Sequence, residues 1–300
     1  MYSHTGKLAV ASSEPFPSSG VLCYAWRMTK IFFLASTFVV LLTFCAVAEQ
    51  VALQKPSQAD SARFDKVYNQ MSARFKAELP LDRASESERA AFLSDIALLL
   101  TEEKTFRSDD VSLFFLIDKK HNIGSSYVPK DLVPLAKNTL FAINRADLSL
   151  RPEAYEALEE LARASQKDGI TLLVSSTYRS YEYQKNLFQR WVRIDGLEEA
   201  ERESAREGTS QHQLGTAVDF GSITDDFDET PMGQWVYKHA SEYGWSLSFP
   251  KQYEDVTGYR WECWHFRYLG KEMCAFQKKW FGDIQQFMLE FVAAWKKLDE

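Results

Sequence analysis

Cysteine and histidine are scarce in this chain of 300 residues, which has 4 Cys and 5 His. So few cysteines exclude a disulfide-dense small protein, and the lack of any Cys-x-x-Cys pair excludes a structural zinc ribbon. A basic surplus is also missing, because 35 Lys and Arg face 42 Asp and Glu, for a net charge of −7. Binding nucleic acid by neutralising phosphates needs a dense basic face, so that class is disfavoured. What is present is an ordinary globular composition, 45% hydrophobic and 26% charged.

The first 48 residues are predicted to be a targeting leader. A basic start at Met28 precedes an apolar run over residues 31–44, which a small-x-small site at residues 46–48 follows. These are the parts of a secretory signal peptide cleaved before Glu49. The alternative is a retained membrane anchor, because the run extended through that site has eighteen residues, close to the ~17 that a spanning helix needs. We therefore expect an exported protein of the periplasm or cell envelope, either cleaved or tethered to the membrane by its leader.

Residues 49–108 are predicted to form a helical accessory segment. Apolar side chains recur there at three- and four-residue steps, and Ser85 with Glu88 has the spacing of a capping box. Nothing in this segment carries chemistry. We expect it to pack on the main domain or to space that domain from a membrane.

Residues 109–300 are predicted to form the main domain. Short strand patterns, among them residues 111–117 and 259–268, alternate irregularly with helical ones, and no Gly-rich phosphate loop occurs. This pattern favours an α+β fold with a small antiparallel sheet and flanking helices.

The sequence around His212 suggests a metal site. Asp219 follows seven residues later, after a loop that ends in glycine and a strand of small residues. An imidazole and a carboxylate together suit a borderline divalent ion such as zinc. Taken alone, a His and an Asp at this spacing are more often a chance pairing. His121 and His239 lie in a polar turn and a helix, where surface or core roles are expected.

His265 lies in an aromatic stretch, three residues after Glu262. The aromatic content favours a strand, and residues three apart face opposite sides of a regular strand. The two side chains can therefore serve one site only if Glu262 precedes the strand or lies at a bulge. The alternative is an ion pair between Glu262 and Arg267 on a core strand.

Arg179 and Gln184 lie at the junction of a strand pattern and a helix. From there they could reach a substrate carboxylate or a developing oxyanion, and arginine suits bidentate binding of such groups. The alternative for Arg179 is a pairing with a buried carboxylate.

Together these stretches resemble the VanY-type D-alanyl-D-alanine carboxypeptidases of the LAS zinc metallopeptidases, in the same order over about residues 111–270. The resemblance is carried by Tyr-Val-Pro-Lys-Asp-Leu-Val at residues 127–133, Ser176-Thr177-Tyr178-Arg179-Ser180 with Gln184, Ser210-x-His212-x-x-Gly215-x-Ala217-x-Asp219, and Glu262-x-Trp264-His265-x-Arg267. It implies one zinc ion held by His212, Asp219 and His265. It also implies Glu262 as the catalytic base and Arg179 as the partner of the oxyanion or of the substrate carboxylate.

The resemblance implies a hydrolase that trims D-alanine from peptidoglycan stem peptides by attack of an activated water. Ser210 and Gln184 are then candidates for binding the terminal carboxylate of the peptide. Export agrees with this substrate, because peptidoglycan lies outside the cytoplasm. Alternatives are an L,D-carboxypeptidase or a D,D-dipeptidase of the same family, or a non-catalytic cell-wall binding module. Such a module would not need Glu262.

The chain departs from the family pattern at two positions. Cys263 stands where these enzymes often have proline, and His239 stands where they often have asparagine. Cys263 and Cys274 are the cysteines that a cleaved chain would keep. The sequence leaves open whether they form a disulfide or stay free thiols.

Overall fold

The computed structural model describes residues 57–103, 111–135 and 139–298, and the predicted leader and the predicted boundary near residue 109 lie outside them. All described residues belong to one unit, Lys55–Glu300. Within these ranges, no helix combines the length and the apolar composition that crossing a bilayer requires.

Three helices begin the described chain: α1 (Gln58–Gln70), α2 (Ala73–Glu78) and α3 (Glu86–Glu103). The hydroxyls of Ser57 and Ser72 cap the first two, since each accepts a backbone N–H of the first turn. The predicted capping box begins the third. There the Ser85 N–H donates to the Glu88 carboxylate at 2.8 Å, and the Glu88 N–H donates to Ser85 Oγ at 3.3 Å.

Seven short strands follow within the described residues. They are β1 (Val133–Pro134), β2 (Phe141–Ile143), β3 (Ser149–Leu150), β4 (Leu172–Ser176), β5 (Ala217–Phe220), β6 (Trp245–Leu247) and β7 (His265–Tyr268). Strands β1 and β3 form an antiparallel pair, and the other five form a sheet with the order β2-β4-β5-β7-β6. All neighbours in this sheet are antiparallel except β2 and β4, which run parallel. The chain joins those two through helix α4 (Pro152–Lys167), and parallel strands require such a crossover.

Helix α4 covers one face of the sheet. Its Leu158 and Leu161 are fully buried in one cluster with Val218, Phe220 and Phe266 of β5 and β7. The remaining helices are α5 (Tyr181–Asp195), α6 (Leu197–Glu203), α7 (Pro231–His239), α8 (Glu254–Thr257), α9 (Lys271–Trp280) and α10 (Gln285–Lys296). The predicted α+β fold with a small sheet and flanking helices is confirmed, whereas the sheet, predicted to be antiparallel, contains one parallel pair.

A second core joins the three N-terminal helices to α9 and α10. The ring of Phe92 in α3 lies edge-on to Phe64 of α1 at 5.2 Å and to Phe291 of α10 at 5.3 Å. Phe75 of α2 meets Phe287 of α10 at 5.1 Å. Buried aromatic pairs of this kind add to the stabilisation from area burial. The N-terminal and C-terminal helices therefore stabilise each other.

Residues 111–117 contain a bend, one turn and otherwise irregular backbone, so the prediction of a strand there is wrong. The carbonyls of Leu113 and Phe115 accept hydrogen bonds at 2.9 and 2.8 Å from Nη2 of the buried Arg267. The guanidinium of Arg267 thus donates the hydrogen bonds that these two carbonyls would receive from a neighbouring strand in a sheet.

Candidate active site

Three neighbouring strands bring the predicted site residues together. Asp219 of β5 is paired in register with His265 of β7 on one side and with Ser176 of β4 on the other. Directly paired residues project from the same face of a sheet, about 5 Å apart. Asp219 and His265 therefore share the face opposite to the buried Val218 and Phe220.

His212 reaches the same place from a 3-10 turn, Gln211–Leu214, that precedes β5. Gly215 ends this turn with φ at 70°, in the left-handed region. A Cβ at this position would lie only 2.9 Å from Cδ2 of Leu132. The glycine of the motif thus lets the chain turn tightly into β5, which brings His212 beside Asp219.

His212, Asp219 and His265 form a buried cluster whose candidate ligand atoms all lie within 4.8 Å of one another. Nδ1 of His265 lies 2.9 Å from one oxygen of Asp219, and Nε2 of His212 lies 3.2 Å from the other. That His212 nitrogen is buried and makes no hydrogen bond. Two imidazoles and one carboxylate are the ligand types that zinc takes in catalytic sites. The donor atoms of the cluster are therefore of the types that bind zinc, and a zinc ion would satisfy the buried Nε2 of His212.

The other nitrogen of each imidazole contacts a partner outside the cluster. Nδ1 of His212 lies 2.6 Å from the carbonyl oxygen of Thr177, and Nε2 of His265 lies 3.2 Å from Oε1 of Gln211. Hydrogen bonds of this kind fix which ring nitrogen keeps its lone pair. The arrangement leaves Nε2 of His212 and Nδ1 of His265 directed at Asp219.

The protonation of the cluster suits cation binding. Burial, and then the positive charge of Arg179, lower the pKa of His212 to about 4, so the imidazole is neutral near pH 7. Burial alone would raise the pKa of Asp219, but His212 and Arg179 outweigh it and hold the pKa well below its usual range. A neutral imidazole beside an ionised carboxylate is the state in which both groups bind a metal.

Glu262 lies just before β7, which begins only at His265 instead of at residue 259 as predicted. Its N–H donates to the carbonyl of Phe249 at 3.1 Å, outside the regular ladder. Its Oε2 lies 3.8 Å from Nδ1 of His265. The condition for Glu262 and His265 to serve one site is therefore met. Burial, and then the negative charge of Asp219, raise the pKa of Glu262 to about 8.

Arg179 lies between β4 and α5, at the edge of the cluster. Its Nε donates to Ser176 Oγ at 2.9 Å and its Nη2 donates to Asp219 Oδ2 at 2.5 Å. Its backbone N–H donates to the carbonyl of His212 at 3.2 Å. The pairing with a buried carboxylate, which the sequence left open, is present, and the carboxylate is a member of the candidate metal site.

Gln184 and Ser210 both line the cleft above the cluster, and each is held by local hydrogen bonds. Nε2 of Gln184 donates to the carbonyl of Ala205 at 2.7 Å and to Ser204 Oγ at 3.2 Å. Ser210 Oγ accepts the N–H of His212 at 3.3 Å, as a cap of the 3-10 turn. Both residues therefore also order the segments that carry the site.

The cleft has a volume of about 310 Å³, and the cluster forms its floor. Its walls are partly apolar, with Leu187 and Trp191 from α5 and the half-exposed Ile223 from the loop after β5. Ile223 has φ at 57°, a strained conformation for a β-branched residue. A cleft that combines apolar side chains with many polar and charged ones suits the end of a peptide.

The sequence reasoning missed Thr177 and Gln211, the two residues that hold the imidazoles. Thr177 acts through its backbone carbonyl, which no side-chain pattern can reveal. Gln211 is adjacent to His212 in the sequence, but its side chain contacts His265 instead, and only the fold brings those two together.

Among the described residues, two further histidines and two cysteines lie outside the cluster. Nδ1 of His121 lies 2.8 Å from Asp118 Oδ1, and His239 pairs with Glu242. Cys263 and Cys274 are both buried free thiols, so the disulfide that the sequence left open is not formed.

Comparison with known proteins agrees with this geometry. The family model of VanY, D-alanyl-D-alanine carboxypeptidase, matches residues 147–271, which include the whole cluster, Arg179 and Glu262. YodJ of Bacillus subtilis (strain 168), which is named as a carboxypeptidase, is 35% identical over 167 residues. These residues are 54% of this chain and 61% of YodJ. A D-alanyl-D-alanine carboxypeptidase of Enterococcus faecium is 27% identical over 195 residues, 63% of this chain and 62% of that protein.

The similarity extends to solved structures. The LdcB LD-carboxypeptidase is 31% identical, with a TM-score of 0.53 over 58% of this chain and 83% of that chain. The chain spans about three fifths of the length of the two curated relatives, YodJ and the Enterococcus faecium carboxypeptidase. The family match and the likeness to LdcB agree with the motif order and with the cluster, and the chain belongs to the VanY family.

Proposed function

We propose that this protein is a zinc-dependent D-alanyl-D-alanine carboxypeptidase that trims peptidoglycan stem peptides. One observation carries the proposal: a buried His-Asp-His cluster with a carboxylate of raised pKa beside it, on the floor of a cleft. A binding module has no need of that carboxylate, which favours an enzyme. The names of the family and of the Enterococcus faecium relative support the reaction.

One zinc ion would be held by His212, Asp219 and His265. Zinc in such a site supplies Lewis acidity, which polarises the scissile carbonyl and activates a water molecule for attack. The protein contributes the rest of the chemistry through side chains around the cluster.

Glu262 is the proton carrier in this proposal. Its carboxylate takes the proton of the attacking water and then gives that proton to the nitrogen of the leaving D-alanine. A general base works best when its pKa lies near the working pH, and burial raises the pKa of Glu262 to about 8. The same residue can therefore accept and donate near neutral pH.

Arg179 offsets the negative charge that develops on the carbonyl oxygen during attack. Its guanidinium already lies at the cluster, where it donates to Asp219 at 2.5 Å. A fixed cation in a buried site stabilises the developing charge more than a cation in water does, because its surroundings do not have to reorganise during the reaction. Binding of the terminal carboxylate by Gln184 and Ser210 stays a prediction, since the nitrogen of Gln184 donates to Ala205 and Ser204.

The location belongs to the proposal as well. A leader before residue 49 would carry the enzyme to the periplasm or cell envelope, where its substrate lies, and an uncleaved leader would tether it to the membrane. The second candidate function is removal of the last residue of a tetrapeptide, an L,D-carboxypeptidase reaction. It is favoured by the similarity to the LdcB LD-carboxypeptidase.

Zinc-loaded protein incubated with purified muropeptides, followed by mass spectrometry, tests the proposal. Loss of one D-alanine from a pentapeptide supports it, and loss of one from a tetrapeptide supports the second candidate. Release of a D-alanyl-D-alanine dipeptide would point to a dipeptidase, and no loss at all would refute an enzyme. His212→Ala should abolish both zinc binding and hydrolysis, whereas His121→Ala, a surface histidine outside the cluster, should change neither.

A further inference from the structure

A buried polar chain connects His265 to the beginning of helix α10. Oε1 of Gln211 lies 3.2 Å from Nε2 of His265, and Nε2 of Gln211 donates to Oε1 of Gln285 at 3.2 Å. Nε2 of Gln285 donates in turn to the carbonyl of Ser246 at 3.2 Å. Ser248 Oγ donates to Oε1 of Gln211 at 2.7 Å and reinforces this orientation. All five residues are buried, so water does not compete for these bonds.

The direction of the hydrogen bonds in this polar chain is set at the end distant from His265, where the carbonyl of Ser246 lies. A backbone carbonyl only accepts, so Ser246 requires the amide nitrogen of Gln285 to face it. Gln285 therefore presents its oxygen to Gln211, which meets it with its own nitrogen and directs its oxygen at His265. An unprotonated Nε2 of His265 would face this oxygen as a second acceptor at 3.2 Å, which is unfavourable in a buried site. Nε2 of a neutral His265 thus carries the proton, and Nδ1 keeps its lone pair.

The lone pair of Nδ1 then faces Asp219 Oδ1 at 2.9 Å. Two acceptors at this distance repel each other unless a cation lies near both. The polar chain therefore opposes the tautomer in which His265 would donate to Asp219. It favours the tautomer that a divalent cation needs.

We infer that Gln211 and Gln285 are positioning residues for the metal ligand His265. They fix its tautomer and ring orientation so that Nδ1 is presented to the cation, and neither residue reaches the reacting atoms. This inference rests on the proposed zinc site. Gln285 begins α10, whose Phe287 and Phe291 lie in the helical core, so the orientation of a ligand in the sheet is anchored in the C-terminal helix.

The tautomer of His265 is measurable directly. In zinc-loaded protein with ¹⁵N-labelled histidine, two-bond nitrogen–proton correlation spectra distinguish a protonated ring nitrogen from one bound to metal. We expect the proton of His265 on Nε2. A proton on Nδ1, with Nε2 bound to the metal, would overturn the inference without any variant having to fold.

Variants test the role of the glutamines. Gln211→Leu and Gln285→Leu should each weaken zinc binding about 10–100-fold, as loss of a partner behind a metal ligand does, measured by competition with a chromophoric chelator. Gln211→Glu keeps an acceptor for His265 but loses the donor to Gln285, so its affinity should lie between those of the wild type and Gln211→Leu. The matched control is Gln277→Leu, because Gln277 is an equally buried glutamine that accepts from Ser246 Oγ and donates to the carbonyl of Asp283, but has no hydrogen bond to Gln211, to Gln285 or to the Ser246 carbonyl at which the polar chain ends.

The outcomes separate this inference from the proposed function. Failure of the wild-type protein to bind zinc would refute the zinc enzyme itself. Tight binding by the wild type with unchanged affinity in Gln211→Leu and Gln285→Leu would overturn only the positioning role. An equal loss in Gln277→Leu would do the same, because it would mark the effect as general destabilisation.

Discussion

Replacement of Glu262 by glutamine should make the metal-free protein more stable and should strongly reduce hydrolysis by the zinc-loaded protein. Burial raises the pKa of this carboxyl from its ordinary 4.5 to about 8. An unfolded chain releases the proton near pH 4.5, whereas the folded protein keeps it until about pH 8. The folded state binds more protons across this window, so its stability falls as the pH rises. Between pH 4.5 and pH 7 the difference amounts to about 3 kcal/mol, at about 1.4 kcal/mol per pH unit.

Glutamine has nearly the same shape as glutamate and does not ionise, so Glu262→Gln should not suffer this loss. The assay is urea unfolding of protein dialysed against a chelator, for the wild type and the variant at several pH values from 4.5 to 8. Near pH 4.5 the two proteins should have similar free energies of unfolding. At pH 7 the variant should be more stable by about 3 kcal/mol. Hydrolysis by the zinc-loaded variant should fall about 10²–10⁴-fold, the usual contribution of a general base.

The matched control is Glu182→Gln, which removes an exposed carboxylate in the first turn of α5. Its free energy of unfolding should stay within about 0.5 kcal/mol of the wild type at every pH. A constant stability difference between Glu262→Gln and the wild type from pH 4.5 to pH 7 would show that the buried carboxyl does not titrate as argued. Retained hydrolysis would remove Glu262 from the mechanism.

Two further predictions concern the oxyanion and the helical core. Arg179→Ala should lower kcat about 10²–10³-fold, the usual effect of losing one charge-stabilising donor, in steady-state assays on a D-alanyl-D-alanine peptide. An unchanged kcat would argue against the role of Arg179. Phe64→Ala should reduce the free energy of unfolding by about 3–5 kcal/mol, because this ring is 1% exposed and packs on Phe92 and Phe291. Leu98→Ala, at a side chain that is 60% exposed, should have little effect in the same denaturation assay, and equal losses in both variants would contradict the packing argument.

The candidate site was largely predictable because its residue types are rare and closely spaced. The chain has only 5 His, and His212 and His265 are the two that stand near the acidic residues Asp219 and Glu262 in sequence. Period-2 alternation already separates Asp219 from the core residues Val218 and Phe220. The helical segment was predictable for a similar reason, since its apolar residues recur at helical steps.

Other features were not predictable, because they depend on partners distant in sequence. Residues 111–117 have a strand-like composition, yet their carbonyls accept from Arg267, more than 150 residues away. The parallel pairing of β2 and β4 depends on where α4 docks. The free state of Cys263 and Cys274 was not predictable either, since the spacing of two cysteines in sequence does not determine whether their sulfur atoms come within bonding distance.

The sequence by itself determined which side chains make up the candidate site: two imidazoles, two acidic groups and a guanidinium in the order of a known family. Residue type and local period are sufficient for that, since they decide donor atoms and strand faces. Only the tertiary structure decided that Glu262 lies before its strand, that Arg179 pairs with Asp219, and that hydrogen bonds link Gln285 to His265 through Gln211. Orientation, burial and protonation arise from contacts between segments far apart in the chain, and local pattern carries no record of them.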